Sequence, residues 1–202
     1  MDTAAPPAMS QRALATVARY RGERARGYEA KRVTQEKWAA EHTIMSTWLN
    51  ALPAGATVLD IPFGTGRFVP IYHARQFHVR GRDINRDMLD QAKRKKLDPT
   101  WDIGLGNILA IDLADASVDV AVCVRLLNFL EPAELRRALG ELQRVARKWV
   151  IASVRVGGRH GGLTRPQSMA DVVAALRPGW RIEENRLAHG QHYRMIRFAR
   201  DL

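Results

Sequence analysis

The most constraining feature of this 202-residue chain is an apolar run that ends in an acid and enters a glycine turn, Val58-Leu59-Asp60-Ile61-Pro62-Phe63-Gly64-Thr65-Gly66-Arg67-Phe68. The pattern predicts a buried strand that turns tightly into a helix. Gly64 and Gly66 let the backbone approach a ligand closely, and the helix that follows presents free N–H groups at its start. Asp60, at the carboxyl end of the strand, can turn its carboxylate toward a cationic ligand group. A lone Gly-x-Gly is equally compatible with an ordinary strand-to-helix turn.

A second acid strengthens the ligand-binding interpretation. The run Phe77-His78-Val79-Arg80-Gly81-Arg82-Asp83-Ile84 predicts another short strand. It ends at Asp83, roughly twenty residues beyond the glycines, where an acid meets ribose hydroxyls in dinucleotide-binding folds. A nicotinamide-binding fingerprint would require a third glycine where Val69 stands, and no second catalytic domain follows. A dehydrogenase is therefore disfavoured.

These segments resemble a known family when three others are added, namely Gly81 to Leu89, Gly106-Asn107-Ile108 and Asp119 to Val124. The chain is similar to the class I S-adenosylmethionine-dependent methyltransferases, in the broad group of the ubiquinone-biosynthesis methyltransferases, over about residues 55 to 155. The resemblance implies S-adenosylmethionine as cofactor and S-adenosylhomocysteine as product. The sequence contains no evident metal-ligand cluster, so no metal is expected. It is nearly silent on the methyl acceptor.

The resemblance also assigns cofactor contacts. Asp60 and the glycines would surround the methionine part, and Asp83 would hold the ribose hydroxyls. The adenine would lie between Ile84 and Met88, near the backbone N–H of Ile108. Two positions depart from the family, because Pro62 replaces the first glycine of the loop and Asn107 replaces an acid, although the Asn carbonyl oxygen also accepts hydrogen bonds. The implied cofactor-binding residues are Asp60, Pro62, Phe63, Gly64, Gly66, Asp83, Ile84, Met88, Asn107, Ile108 and Arg125.

The segment Arg125 to Leu130 follows the predicted central strand Val118 to Val124, where the family places its reacting substrate. It could hold a substrate anion and orient a nucleophile, or it could simply pack and cap the next helix. The candidate catalytic residues are Asn128, Arg125 and His160, with His42 as another nominee for a base. The candidate acceptor-binding residues are Tyr28, Trp38, His42, Phe129, Arg155 and Arg159, with Lys37 and Arg165 as further candidates. Alternatively, Trp38 anchors a helix to the sheet, and the glycine-rich loop 157–166 is a flexible connection.

The predicted fold class is α/β, with a single Rossmann-like doubly wound sheet, mostly parallel with an antiparallel edge, and helices on both faces. Helices are predicted at 11–27, 29–52, 86–96 (capped by Asn85), 132–146 and 167–176, and further strands at 101–106, 149–156, 180–187 and 192–199. By resemblance, residues 1–52 form an N-terminal tail and a helical lid, and residues 53–202 form the cofactor-binding domain. The Ala- and Pro-rich residues 1–10 are expected to be frayed.

Composition and charge limit the class of protein and the kinds of partner that the sequence supports. The chain is 46% hydrophobic and 26% charged, as expected for one compact domain. Its net charge of +11 favours an anionic partner such as a nucleic acid (RNA among them), an acidic lipid surface or a phosphorylated small molecule. The basic residues are nevertheless spread along the chain, as on a solvated surface. Cys123 is the only cysteine, so no internal disulfide can form. No apolar run approaches a membrane span and Met1 to Ser10 does not read as a signal peptide, so a cytoplasmic location is expected.

Three functions remain open. The leading hypothesis is a methyltransferase acting on an O, N, S or C atom of a small molecule. The alternative is a methyltransferase acting on RNA or another macromolecule through the basic surface. The amino-directed and C5-cytosine DNA methyltransferases are disfavoured, because their Asn/Asp-Pro-Pro-aromatic and Pro-Cys segments are missing. A third hypothesis is a non-catalytic cofactor-binding partner protein, which the departures at Pro62 and Asn107 keep open.

Overall fold

The computed structural model describes residues 8–158 and 161–201. Seven strands form one sheet. They are β1 (Thr57–Asp60), β2 (His78–Asp83), β3 (Asp102–Leu105), β4 (Val118–Cys123), β5 (Ala146–Arg155), β6 (Trp180–His189) and β7 (Tyr193–Arg200). Their order across the sheet is β3-β2-β1-β4-β5-β7-β6. Strands β1 to β5 pair in parallel, and β7 runs antiparallel to both β5 and β6. The predicted mostly parallel sheet with an antiparallel pair at one edge is confirmed.

The strand order places the carboxyl ends of β1, β2 and β4 at a common edge. Asp60 lies beside Gly81 and Val122, and Asp83 lies beside Leu105. The chain direction across the sheet reverses between β1 and β4, because β2 lies on one side of β1 and β4 on the other. Open α/β sheets bind ligands at such a switch point. The topology therefore directs attention to the ends of β1, β2 and β4.

Eight helices flank the described sheet. They are α1 (Gln11–Arg19), α2 (Glu23–Arg26), α3 (Tyr28–Arg32), α4 (Glu36–Asn50), α5 (Val69–Ala74), α6 (Arg86–Ala92), α7 (Pro132–Val145) and α8 (Met169–Ala174), with a short 3-10 turn at Leu127–Phe129. The single helix predicted over 29–52 is interrupted. The backbone at Gln35 is extended, and the β-branched Val33 and Thr34 disfavour helical continuation. Likewise α6 ends at Ala92, four residues before the predicted end.

The core has two halves, one on each face of the sheet. Val58 and Val120 pack on one face with Trp48 of α4 and Tyr72 of α5. The opposite face carries alternate residues of the same strands, namely Leu59, Ala121 and Val150, against Leu135 and Leu139 of α7. Strands buried on both faces explain the continuous apolar runs of β1 and β4. Helices on both faces of the sheet are thereby confirmed.

The segment before β1 is anchored from its first described residues. Ser10 caps α1, and its hydroxyl donates to Glu134 at 2.9 Å. Arg12 pairs with Glu131 at 2.8 Å. Both acids lie at the start of α7, so α1 is tied across the carboxyl edge of the sheet. Met9 packs against the core and Ser10 is held by Glu134, contrary to the expectation of a frayed stretch over residues 1–10. Ala8 is exposed, and residues 1–7 lie outside the described ranges. In the described parts of the chain, no helix combines the length and hydropathy needed to cross a membrane.

Candidate functional site

A cleft opens where the carboxyl ends of β1, β2 and β4 meet the N-terminal helices. It encloses about 1030 Å³, open mouth included, and combines strand ends with side chains from α1 and α4. Apolar side chains predominate in its lining, with a few polar groups among them, as in small-molecule sites.

The glycine turn after β1 forms the floor of the cleft. Gly64 and Gly66 have φ angles of +59° and +69°, which side-chain-bearing residues rarely adopt. A Cβ on Gly66 would also come within 3.0 Å of Val69. Gly64 lines the cleft, whereas Gly66 does not and its carbonyl accepts a hydrogen bond from Lys95 at 3.2 Å. The helix after the turn, α5, starts only at Val69.

Asp83 joins the end of β2 to this turn. Its Oδ2 accepts a hydrogen bond from the backbone N–H of Gly64 at 2.8 Å, and its Oδ1 accepts one from the N–H of Asn85 at 2.8 Å. Burial raises the pKa of Asp83 to about 6, and the backbone hydrogen bonds oppose that rise. Each carboxylate oxygen can accept a further hydrogen bond, so Asp83 can still receive donors from a ligand in the cleft.

Asp60 lies deeper in the same cleft. Its carboxylate is 2% exposed and accepts a hydrogen bond from the Tyr72 hydroxyl at 3.0 Å. Burial, and to a smaller extent the neighbouring Asp83, raise the pKa of Asp60 to about 8, while the hydrogen bond from Tyr72 opposes this rise. A cation bound beside Asp60 would restore the ionised form, because an opposite charge lowers a carboxyl pKa.

The far end of the cleft is more apolar. Ile84 is 38% exposed there, while Met88 and Ile108 are buried beside it. Asn107 also lines this end, and its Oδ1 accepts a hydrogen bond from the backbone of Leu109 at 2.9 Å. This end can sandwich a flat ring between aliphatic side chains.

Helix α1 covers the cleft and is hydrogen bonded to the start of α6. The Asn85 side chain caps α6 through its oxygen, and its amide donates to the carbonyls of Val17 and Tyr20 at 3.1 and 2.9 Å. The N–H of Gly22 donates to the Asp87 carboxylate at 2.6 Å. We call α1 and the turn through Gly22 the lid.

A buried ion cluster lies behind the β4 side of the cleft. The Glu41 side chain of α4 is fully buried and accepts hydrogen bonds from both Arg67 and Arg125, with the Arg125 Nε at 2.9 Å. The guanidinium carbons of Arg67 and Arg125 lie 3.8 and 5.3 Å from the ring centre of Trp38. Both arginines and Trp38 line the cleft. Glu41 thus ties α4 to the glycine turn and to the end of β4.

Comparison with known proteins agrees with this arrangement. Residues 58–148 match the family model described as a methyltransferase domain. Magnesium protoporphyrin IX methyltransferase of Synechocystis, crystallised with SAM, is 16% identical and superposes with a TM-score of 0.76 over 96% of this chain and all of that one. A SAM-dependent methyltransferase of Methanosarcina mazei gives a TM-score of 0.63 at 18% identity, over 77% of this chain and 97% of its own.

The chain has the fold of these two methyltransferases.

A curated relative is similar to part of this sequence. An uncharacterized methyltransferase of Schizosaccharomyces pombe is 30% identical over 105 residues, which are 50% of this chain and 40% of the yeast protein. The chain therefore aligns with less than half of that relative's length. The fold is shown by the two structural neighbours, and the family model matches residues 58–148.

The cleft contains most of the residues assigned by resemblance to cofactor binding. Of that set only Gly66 does not line it, and the lining members are Asp60, Pro62, Phe63, Gly64, Asp83, Ile84, Met88, Asn107, Ile108 and Arg125. Among the acceptor-binding candidates, Tyr28, Trp38 and Phe129 line the cleft. Their roles stay predictions, but the fold brings them together.

Other candidates lie elsewhere in the chain. Asn128 is buried behind the cleft, where its side-chain oxygen accepts from the N–H of Arg155 and its carbonyl accepts from Arg165 at 2.7 Å. His42 faces Ser46, one turn along α4, and does not line the cleft; neither does Arg155. The structure thus gives Asn128 contacts to neighbouring chain segments rather than to the cleft. Arg159 and His160 lie outside the described residues.

Several residues of the site carry no sequence signal strong enough to predict them. Tyr72 meets Asp60 only because α5 folds back onto β1. Glu41 resembles any acid on a helix, and its partners lie 26 and 84 residues away. Val17 and Tyr20 belong to a basic segment with no recognisable motif. Asn85 was predicted as a helix cap, which is confirmed, but its second role of holding the lid depends on tertiary contacts.

Proposed function

We propose that the protein is an S-adenosylmethionine-dependent methyltransferase that acts on a small-molecule acceptor. The observation that carries the proposal is the position of Asp83, which is hydrogen bonded to the glycine turn at the switch point of the sheet. This arrangement supports binding of a nucleoside whose ribose donates two hydroxyls. The family match and the two structural neighbours named above support the same cofactor.

The residues present fit the cofactor. Asp83 would hold the ribose hydroxyls, and Ile84 and Met88 would flank the adenine. The ammonium of the methionine part would lie toward Asp60, whose raised pKa indicates an acid that lacks a cation in the free protein. Gly64 carries no Cβ, and one added there would be 3.7 Å from Met88. Pro62 and Asn107 both line the cleft, and neither blocks it.

S-adenosylmethionine, when bound, supplies an electrophilic methyl group on a sulfonium. The protein's own contribution would be positional. Holding two reactants in line converts an encounter into an effectively unimolecular step, worth roughly 7–11 kcal/mol in favourable cases. The lid would exclude water from the cleft, and the end of β4 would present the acceptor. The nucleophile loses its proton after or during attack, and no described residue on the cleft wall other than Asp60 and Asp83 is an acid able to accept it.

The covered cleft favours a small acceptor. The lid crosses the carboxyl edge of the sheet and is fixed at both ends, through Ser10 to α7 and through Gly22 to α6. A macromolecule would have to present a single extruded group beneath it. The net charge of +11 is the feature that favours RNA instead, and the test below separates the two acceptors.

The test is transfer of a radiolabelled methyl group from S-adenosylmethionine. The acceptors are a panel of phenols, amines and carboxylic acids, and total RNA at low and moderate salt. We expect label in one of the small-molecule classes, with little salt dependence, and loss of transfer in Asp83→Asn. Label in RNA that declines steeply with salt would support the macromolecular alternative, because phosphate contacts release counterions. Cofactor binding without transfer to any acceptor would support a non-catalytic partner protein.

A further inference from the structure

The β4 side of the cleft carries two arginines for one acid. Arg67 and Arg125 line the cleft, with side chains 9% and 14% exposed, while Glu41 lies behind them with none of its side chain exposed. We call Arg67, Trp38 and Arg125 the arginine wall. One carboxylate neutralises one guanidinium, so the wall keeps a positive charge that no described acid balances.

The other titratable groups near the wall do not cancel this charge. Asp60 and Asp83 are the only acids among the described residues that line the cleft. Burial raises the pKa of Asp60 to about 8, so that it is mostly neutral at pH 7. Burial lowers the pKa of Lys37, one residue before Trp38, to about 8; Glu41 opposes this shift, and Arg125, Arg32 and Arg155 add to it. The side of the cleft formed by the arginine wall therefore favours an anion.

Aromatic side chains continue from the wall. Trp38 is 8% exposed, and Phe129 follows β4 on the same side of the cleft. Tyr28 and Tyr20 pack edge to face with their ring centres 5.4 Å apart, and both line the cleft. Rings of this kind bind flat apolar bodies by stacking and edge contacts. A positive wall beside aromatic surfaces matches a flat molecule with an acidic group.

We propose that the methyl acceptor is a small aromatic acid whose carboxylate binds the arginine wall, chiefly through Arg125. The role of this acid as methyl acceptor rests on the proposed function, whereas the anion site itself does not depend on it. Guanidinium groups bind carboxylates through paired, charge-assisted hydrogen bonds. Arg125 follows β4, so a carboxylate held there would place the ring of the acceptor near Phe129.

A competing source of a carboxylate is the methionine part of the cofactor. Of the two arginines, Arg67 directly follows the glycine turn, and the methionine part would lie beside that turn. If the wall bound the cofactor's carboxylate, then substitution of Arg125 would weaken the binding of S-adenosylhomocysteine. It would leave 5′-methylthioadenosine unaffected, because that molecule lacks the amino acid group. If the wall binds the acceptor, neither nucleoside is affected.

The experiment compares 4-fluorobenzoate with its neutral analogue 4-fluorobenzamide by fluorine NMR titration. Both are added to the wild-type protein, free and saturated with S-adenosylhomocysteine. The same titrations are repeated with Arg125→Gln and with Arg181→Gln as the matched control. Arg181 is half-exposed on the edge strand β6, which is separated from β4 by β5 and β7. Calorimetry then measures S-adenosylhomocysteine and 5′-methylthioadenosine with each variant.

We expect the benzoate to bind the wild type at least about tenfold more tightly than the benzamide, because charge-assisted hydrogen bonds are roughly twice as strong as neutral ones. Saturation with S-adenosylhomocysteine should not displace it. Arg125→Gln should abolish the preference and Arg181→Gln should keep it, with both nucleosides binding as in the wild type.

Three results would overturn the proposal. They are equal binding of benzoate and benzamide by the wild type, displacement of benzoate by S-adenosylhomocysteine, and selective weakening of S-adenosylhomocysteine in Arg125→Gln. The first needs no variant, so it decides even if Arg125→Gln fails to fold. If S-adenosylhomocysteine does not bind the wild type, the proposed function fails, and the benzoate preference of the free protein still tests the anion site.

Discussion

Asp83 at the end of β2 accepts a hydrogen bond from the backbone N–H of Gly64 at 2.8 Å, across the gap between β2 and the turn after β1. The other oxygen of this carboxylate accepts from Asn85, whose side chain holds Val17 and Tyr20 of the lid. One acid thus connects the glycine turn with the cover of the cleft. A ligand bound to Asp83 would therefore affect both the glycine turn and the lid.

Binding of S-adenosylhomocysteine should tighten as the pH rises from about 6 to about 8 and then level off. In the free protein the pKa of Asp60 is about 8, so a cationic ligand must displace a proton from this acid at pH 7. Titration calorimetry in two buffers of different ionisation enthalpy counts the protons released. Asp60→Asn should remove most of this release. A wild type that releases no proton at pH 7 contradicts the placement of the cation beside Asp60.

Asp60→Asn should stabilise the free protein in a pH-dependent way. The pKa of Asp60 is raised in the folded state from 3.8 to about 8, so its contribution to stability is full below about pH 4 and is lost as the pH rises through about 8. The amide resembles the protonated acid and can still accept from Tyr72. We therefore expect the variant to melt at a higher temperature than the wild type at pH 8 and at a similar one at pH 4. A difference independent of pH would argue against an uncompensated buried carboxylate.

Gly81→Ala should destabilise the protein and weaken ligand binding together. A Cβ at Gly81 would lie 2.6 Å from both Phe63 of the glycine turn and Ile103 of β3. Overpacking of this kind costs about 1–3 kcal/mol, and relief by movement of Phe63 would disturb the turn. Gly104→Ala on the adjacent strand is the control, because its nearest neighbour would be 3.9 Å away. In chemical denaturation the midpoint of Gly81→Ala should be lower than that of Gly104→Ala. Equal midpoints would show that the turn and β3 accommodate the added methyl group at little cost in stability.

Asn85→Asp should release the lid and leave α6 intact. The carboxylate keeps an oxygen for the cap of α6 but loses the amide that donates to Val17 and Tyr20. Hydrogen exchange should increase over residues 11–20 and remain as in the wild type over residues 86–92. Unchanged exchange over 11–20 would mean that the anchors at Ser10 and Gly22 suffice to hold the lid.

Local patterns and resemblance predicted the part of the site that lies on strand ends. Asp60 and Asp83 each close an apolar run, and parallel strands bring such ends to one edge. The arginine wall depends on long-range pairing instead. Glu41 is recognisable as a buried acid only once α4 packs near Arg125, 84 residues later. The break between α3 and α4 is likewise not predicted by the sequence, because the apolar positions of 29–52 suit one continuous helix.

The most direct test of the account is calorimetric titration of S-adenosylhomocysteine into the wild type, Asp83→Asn and Asp90→Asn. Asp90 is an exposed acid on α6, so it controls for the loss of one negative charge near the cleft. We predict saturable one-site binding by the wild type and by Asp90→Asn. In Asp83→Asn we predict binding about tenfold or more weaker, since a charged acceptor for two hydroxyls is lost. Near-native affinity in Asp83→Asn, or no saturable binding by the wild type, would contradict the central claim.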